Sequence, residues 1–135
     1  MCGYQSKYSS KASTVTYDYL TVKLNVFSSG GLDNSTGKFI SPKSGVFATT
    51  FFFSADNNIG NGSVAEAQQA DLNFQKNHEN LPEGNMLSNI FSAKEYRDDD
   101  SAGKYILVEL KMEEELSVYM KEGTINHVAF CVHSL

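Results

Sequence analysis

Several signatures of membrane proteins and of enzymes are missing from this sequence. No run approaches the roughly 18 apolar residues that a membrane-spanning helix requires, so we expect no membrane insertion. The sequence also has no G-x-S-x-G elbow, no H-E-x-x-H zinc motif and no glycine-rich phosphate loop. These absences predict a protein that is not an enzyme.

Positive charge is scarce as well. Lys and Arg total 11 against 16 Asp and Glu, which gives a formal net charge of -5. Because binding to a nucleic-acid backbone requires a basic patch and these 11 residues are scattered, we expect no nucleic-acid partner.

Tryptophan is absent and proline occurs only twice, whereas the chain carries nine Phe and seven Tyr. Most of these aromatic side chains must lie in a core. A length of 135 residues suits a single domain, residues 1–135, which can bury roughly two thirds of its unfolded surface. Short apolar or alternating stretches between turn-rich segments predict an all-β fold of about ten strands.

Residues 46–53 form the most apolar stretch and are almost entirely β-branched or aromatic. A run this short and apolar predicts a strand that is buried on both faces. Phe47, Phe51 and Phe53 would share the face that packs against the opposite sheet. Val46 and Phe52 would point the other way and need cover from another surface.

Composition also predicts the connections and the less apolar strands. We expect a polar link at residues 9–13, a strand at 20–27, a loop over 77–84 and a turn at 122–124. A further strand is expected at residues 86–93.

The central stretch carries a spaced pattern, Gly-x-Phe-x-x-Pro-x-x-Gly-x-Phe, which resembles the signature of C1q-like domains. It is formed here by Gly37, Phe39, Pro42, Gly45 and Phe47. The resemblance continues through residues 107–110, 116–120 and 128–132, which are similar to the late strands of that family. It implies a jelly-roll β-sandwich of ten strands in two five-stranded antiparallel sheets, with a core that includes Phe39, Phe47, Phe51 and Phe53.

The two cysteines, Cys2 and Cys131, lie near opposite ends of the chain. They could be two free thiols. In a C1q-like sandwich, however, the first and last strands are antiparallel neighbours, so the resemblance makes a disulfide between them the alternative.

The resemblance also implies a cation site and a secreted location. Some C1q-like trimers hold calcium through acidic residues in an apical loop. Asp98, Asp99 and Asp100 form a cluster of carboxylates that could bind such an ion, and Asp100 falls about where one such ligand would lie. The alternative is a solvated acidic loop. Asn34 and Asn61 each begin an N-glycosylation triplet in a predicted loop, which matters only if the protein is secreted.

The function that the resemblance implies is that of a secreted, trimeric recognition module of innate immunity, which binds carbohydrate, microbial or protein ligands. Trimer formation would also cover Val46 and Phe52. One alternative is a cytokine-like receptor ligand of the tumour necrosis factor (TNF) group, which shares the architecture. Another is a structural module of the extracellular matrix.

Overall fold

The computed structural model describes residues 1–21, 31–55, 69–89 and 101–135. These residues contain no helix, and their strands pair antiparallel. In chain order the strands are β1 (Cys2–Thr14), β2 (Tyr19–Thr21), β3 (Gly31–Leu32), β4 (Phe39–Ile40), β5 (Gly45–Ala55), β6 (Gln69–Lys76), β7 (Glu79–Asn89), β8 (Ser101–Leu110) and β9 (Glu115–Ser134). The prediction of an all-β fold is confirmed.

Strand β9 organises the sheet, because β1, β4, β5 and β6 all pair with it. Its N-terminal half pairs with β6 and its C-terminal half with β5. Along its other edge, β1 keeps one register from Cys2 opposite Cys131 to Thr14 opposite Tyr119. β8 extends the sheet from β5, and β7 extends it from β6. The two layers, β2-β1-β9-β5-β8 and β3-β4-β9-β6-β7, therefore share β9.

Irregularities in β9 explain how one strand can serve both layers. The register shifts against β6, where Lys121 has no partner, and again against β5 near His127. Gly123 and His127 have positive φ angles of 126° and 51°. Such bulges bend a strand and increase its twist. The predicted turn at 122–124 is therefore wrong, because the bulges bend the chain without reversing it.

Two other predicted connections are also corrected. Residues 9–13 belong to β1, because backbone pairing with β9 compensates for their low strand propensity. The loop expected over 77–84 is a two-residue turn of Asn77 and His78, followed by β7. The remaining residues of that segment belong to β7, and residues 81–84 form a bulge opposite Phe74 of β6. The predicted strands at 20–27 and 86–93 extend outside the described residues.

The core lies between the two layers and is dominated by phenylalanine. The ring centroid of Phe51 is 5.7 Å from that of Phe53, 6.4 Å from Phe74 and 6.3 Å from Phe130. These rings come from β5, β6 and β9, so one aromatic cluster connects the layers. All four side chains are fully buried.

The residues of the C1q-like pattern lie at the edge of this core. Phe39 and Phe47 are buried and their ring centroids are 5.5 Å apart. Pro42 is half-buried in the connection between β4 and β5, and Gly45 begins β5. Gly37 has a φ of 72° and packs so closely that a Cβ there would overlap the Val15 carbonyl oxygen.

Tyr17 is a buried residue with an unusual environment. Its ring stacks on Phe130 at 5.7 Å, and a Cβ on Gly3 would lie only 2.7 Å from that ring. Among the described residues, its hydroxyl has no hydrogen-bond partner. Burial raises the pKa of the Tyr17 phenol well above its usual value, and nearby Tyr8 adds to the rise. An unpaired buried hydroxyl costs about 1–3 kcal/mol.

We therefore expect Tyr17→Phe to raise the free energy of unfolding by about 1 kcal/mol, because it removes this hydroxyl. The measurement is Tm by circular dichroism. Tyr8→Phe is the matched control, since the Tyr8 hydroxyl donates to the Thr14 carbonyl at 2.8 Å. That variant should lose about 1 kcal/mol. Equal falls in Tm for both variants would show that the Tyr17 hydroxyl is paired in solution.

Candidate functional site

The outward side of β5 and β8 carries a cluster of exposed apolar side chains, Val46, Phe52, Tyr105 and Leu107, which we call the apolar face. The charged residue Glu109 lies opposite Val46 at one end of it. The core-facing residues of these strands are buried, and the alternate residues point outward. The four outward side chains are exposed by 43%, 46%, 59% and 54%, respectively. This is an unusual concentration of large apolar groups on one side of a sheet.

Strand register places these side chains on one continuous surface. Leu107 lies opposite Ala48, and Tyr105 lies opposite Thr50 on the adjacent pair. The next residue of β8 on this face is Gly103, and a Cβ there would lie 3.1 Å from the Phe52 ring. The ring of Phe52 therefore covers a position where β8 has no side chain.

The Cys2–Cys131 disulfide lies on the same side of the sheet, beside the apolar face. Thr50 pairs with Tyr105 on one edge of β5 and with Cys131 on the other. The two cysteines are directly opposite each other, with Cα atoms 4.1 Å apart. The bridge that the C1q-like resemblance suggested is confirmed, because β1 and β9 are antiparallel neighbours.

A second group of polar contacts lies where the β6–β7 turn meets the start of β9. Glu115 exchanges two hydrogen bonds with Asn77: its N–H donates to the Asn77 side chain, and its carbonyl accepts from the Asn77 N–H, both at 2.9 Å. The Glu115 carboxylate is also 3.2 Å from His78 and 3.4 Å from Lys38. Exposed ion pairs of this kind contribute little stability, so we assign the group to holding the turn.

This turn carries backbone strain. Asn77 and His78 have φ angles of 49° and 68°. Two-residue hairpin turns favour Asn at the first of these positions and Gly at the second. His78, which contacts Glu115 and Lys38, therefore has a left-handed backbone conformation that is uncommon for residues other than glycine.

Asn34, one of the predicted glycosylation sites, is half-buried and lies in the turn between β3 and β4. The turn is held by Asp33, which accepts hydrogen bonds from the Ser35 N–H at 2.8 Å and the Ser35 hydroxyl at 2.7 Å. These bonds, the hydroxyl bond first, lower the pKa of the Asp33 carboxyl. Glycosylation at Asn34 stays a prediction.

The other predicted site residues cannot be placed. Asp98, Asp99, Asp100 and Asn61 lie outside the described residues, so the calcium site and the second glycosylation site also stay predictions. Within the described ranges, no three His, Cys, Asp or Glu side chains are grouped so as to hold a metal ion. The described residues also form no helix that is long and apolar enough to cross a membrane.

Sequence reasoning missed a polar surface on the opposite side of the sandwich. It is formed by the outward residues of β6, β7 and the first half of β9 and includes Asp71, Asn73 and Tyr119. A signal was present, because Asp71, Asn73 and Gln75 alternate with core residues. What the sequence did not reveal was which residues of other strands lie beside them.

No family model matches the sequence, and no curated protein matches it. Among solved structures, the chain is similar to the globular domain of zebrafish complement 1qA protein. The TM-score is 0.61 at 13% identity, and the match covers 100% of this chain and 98% of that chain. It is also similar to the Eiger TNF from S. frugiperda, with a TM-score of 0.56 at 12% identity, covering 100% and 92%.

At these identities the likeness is one of fold. A jelly-roll sandwich with its first and last strands paired is the class that the structure defines. Within that class, the fold of this chain is similar to that of a C1q globular domain and of a TNF, which agrees with the fold that the pattern around Phe39 and Phe47 predicted.

Proposed function

We propose that this domain is a secreted, non-enzymatic recognition module that forms a homotrimer and binds a carbohydrate, microbial or protein ligand, as in innate immunity. The observation that carries the proposal is the apolar face on β5 and β8 of a C1q/TNF-like sandwich. The disulfide between Cys2 and Cys131 supports secretion, because such bonds persist mainly in oxidising compartments.

The occupant that we assign to the apolar face is a second and a third copy of this chain. Monomeric proteins rarely expose large contiguous apolar patches. C1q-like domains assemble as three-fold trimers by packing the face of one sheet inward. The layer that holds Val46, Phe52, Tyr105 and Leu107 presents such a face.

Leu107→Lys tests this assignment. We expect the unaltered protein to show, by light scattering, a mass near three times the 14.9 kDa of the chain. Leu107 is 54% exposed, so the lysine should leave the fold intact. In a trimer it would place a charge in the apolar contact between subunits, and desolvating that charge costs several kcal/mol. The variant should therefore be monomeric, with unchanged circular dichroism at low temperature.

Leu87→Lys is the matched control, since Leu87 is 51% exposed on the opposite side of the sandwich. This variant should keep the trimeric mass. A monomeric mass for the unaltered protein would overturn the trimer. A trimer that tolerates Leu107→Lys but not Leu87→Lys would move the interface to the other layer.

A receptor-binding ligand is the second candidate, supported by the likeness to the Eiger TNF. TNF-group proteins share this architecture and engage receptors in the grooves between subunits. The two candidates differ in what the trimer captures. Saturable binding of a receptor ectodomain that is blocked by substitutions at the subunit boundary would favour the cytokine role over recognition of carbohydrate or microbial surfaces.

A further inference from the structure

The missed polar surface contains a groove with a volume of about 190 Å³. We call it the polar groove and define it by the side chains that line it together with Leu72: Asp71, Asn73, Asn80, Asn85, Tyr119 and Lys121. Strand register explains the arrangement, because Asn73 on β6 lies opposite both Tyr119 on β9 and Asn85 on β7. Three strands therefore contribute one row of polar side chains.

Two irregularities of the sheet form the walls of the polar groove. On one side, β9 bulges at Lys121, which has no partner between Met120 and Glu122 in the pairing with β6. On the other side, residues 81–84 of β7 pass opposite Phe74 alone. Bulges of this kind often lie next to binding sites, because they redirect side chains and interrupt strand pairing.

The side chains of the groove are held in place on one side. The Asn85 amide donates to the Asp71 carboxylate at 3.1 Å. Gln75 donates to the Asn80 side-chain carbonyl at 2.9 Å. These bonds orient one carboxylate and two amides before any ligand arrives.

Other groups in the groove lack partners. The side-chain oxygen of Asn73 is buried against Gly84 and has no hydrogen bond among the described residues. Nor do those residues hydrogen-bond the Tyr119 hydroxyl or the Lys121 ammonium group. Of these three groups only the Asn73 oxygen is buried, and unsatisfied buried polar atoms are uncommon. The Tyr119 side chain is half-buried and Lys121 is exposed, so their polar groups can meet either water or a bound molecule.

The charges in the groove argue against an ionic ligand. Asp71 and Lys121 carry opposite charges, so neither an anion nor a cation meets a uniformly favourable field. Calcium requires six to eight oxygen ligands, and a single carboxylate beside an ammonium group does not supply them. A neutral ligand with many hydroxyl groups suits the groove better, because each hydroxyl can donate to one side chain and accept from another.

We propose that the polar groove binds one neutral sugar ring, with Asp71, Asn73 and Asn85 bonding its hydroxyls and Tyr119 contacting its C–H face. The groove is open on one side, so it can bind one face of a hexose ring without enclosing the ring, and its volume of about 190 Å³ exceeds the roughly 150 Å³ that encloses benzene. The site deepens the recognition role proposed above and rests on it. It lies on the side of the sandwich away from the apolar face, so a trimer leaves it open.

The test is a titration of the isotope-labelled protein with methyl glycosides of neutral hexoses and N-acetylhexosamines, followed by NMR of the Asn side-chain amides. Concentrations should reach about 50 mM, because a single ring with few contacts binds with millimolar affinity. We expect at least one glycoside to shift the Asn73 and Asn85 signals saturably. The absence of such shifts for every glycoside would overturn the proposal.

Two variants locate the binding. Asp71→Asn keeps the shape of the side chain and an acceptor for Asn85, but it removes a charged acceptor for a sugar hydroxyl. We expect at least a tenfold rise in Kd, as for loss of a hydrogen bond to a charged group. Tyr119→Ala should also weaken binding. Glu79→Gln, an exposed acid-to-amide change on β7 outside the groove, is the matched control and should leave Kd unchanged.

Light scattering of the same samples separates this proposal from the one on which it rests. A trimer that binds no glycoside overturns the sugar site alone. A monomer that binds a glycoside, with the loss at Asp71→Asn, overturns the trimer and supports the site. Binding of charged glycosides in preference to neutral ones would overturn the assignment of a neutral ligand.

Discussion

Replacing Cys2 and Cys131 together by alanine is expected to lower the free energy of unfolding by about 4–5 kcal/mol. The two residues are 129 positions apart, so the disulfide closes a loop of nearly the whole chain. Without it, the unfolded chain gains conformational entropy while the folded strands β1 and β9 can still pair. The measurement is a guanidinium unfolding curve of the oxidised protein and of the double variant.

Reduction of the unaltered protein is the control for this first prediction. It should reproduce most of the loss, because it removes the same constraint without changing a side chain in the sheet. A loss below about 1 kcal/mol in both cases would contradict the loop-entropy explanation. A loss only in the double variant would instead point to altered packing near the apolar face.

Gly37→Ala is expected to cost about 3–5 kcal/mol, from the strain of a left-handed residue and from overlap with the neighbouring backbone. The φ of Gly37 is 72°, and an added Cβ would meet the Val15 carbonyl oxygen. The segment around Val15 cannot move away freely, since the Val15 N–H donates to the Val118 carbonyl at 2.8 Å. The measurement is again guanidinium unfolding.

Gly45→Ala is the matched control, because Gly45 also has a positive φ, 158°, whereas a Cβ there meets nothing within 4 Å. It belongs to the same sequence pattern and should cost clearly less than Gly37→Ala. Equal losses would show that backbone strain, rather than contact with Val15, explains why glycine occupies position 37.

The sequence was most informative where side-chain chemistry and local pattern agree. The inward side chains of the apolar run, Phe47, Phe51 and Phe53, have no stable position outside a core, so their burial follows from composition. The expectation of burial on both faces is not met within one chain, because Val46 and Phe52 on the other face are exposed by 43% and 46%. The resemblance around Phe39 and Phe47 added the order of the strands. That order led to the pairing of Cys2 with Cys131.

The errors of prediction occur where backbone pairing prevails over side-chain preference. Residues 9–13 are small, polar or charged, yet they form a strand because β9 supplies the hydrogen bonds. Residues 122–124 have turn-like composition, yet the bulges on either side of them only bend β9. Local sequence does not reveal the partner strand, so neither result follows from it.

The polar groove was missed for a related reason. Asp71 and Asn73 look like ordinary outward residues of a half-exposed strand. Their significance depends on Asn85 of β7 and Tyr119 of β9, two residues that are far apart in the sequence. A shift of register by one residue would turn these side chains to the other face, and register cannot be inferred from one sequence.

The position of β9 also constrains how the protein folds as it is synthesised. Before residues 115–134 emerge from the ribosome, the pairings left among the described strands are β1 with β2, β3 with β4, β5 with β8 and β6 with β7. None of these pairs connects the two layers. Phe51 and its aromatic neighbours therefore lack a complete core until β9 has been synthesised, and their exposure makes the nascent chain prone to aggregation. Folding should also be slow, because the strand pairs that join the two layers are formed by residues far apart in the sequence.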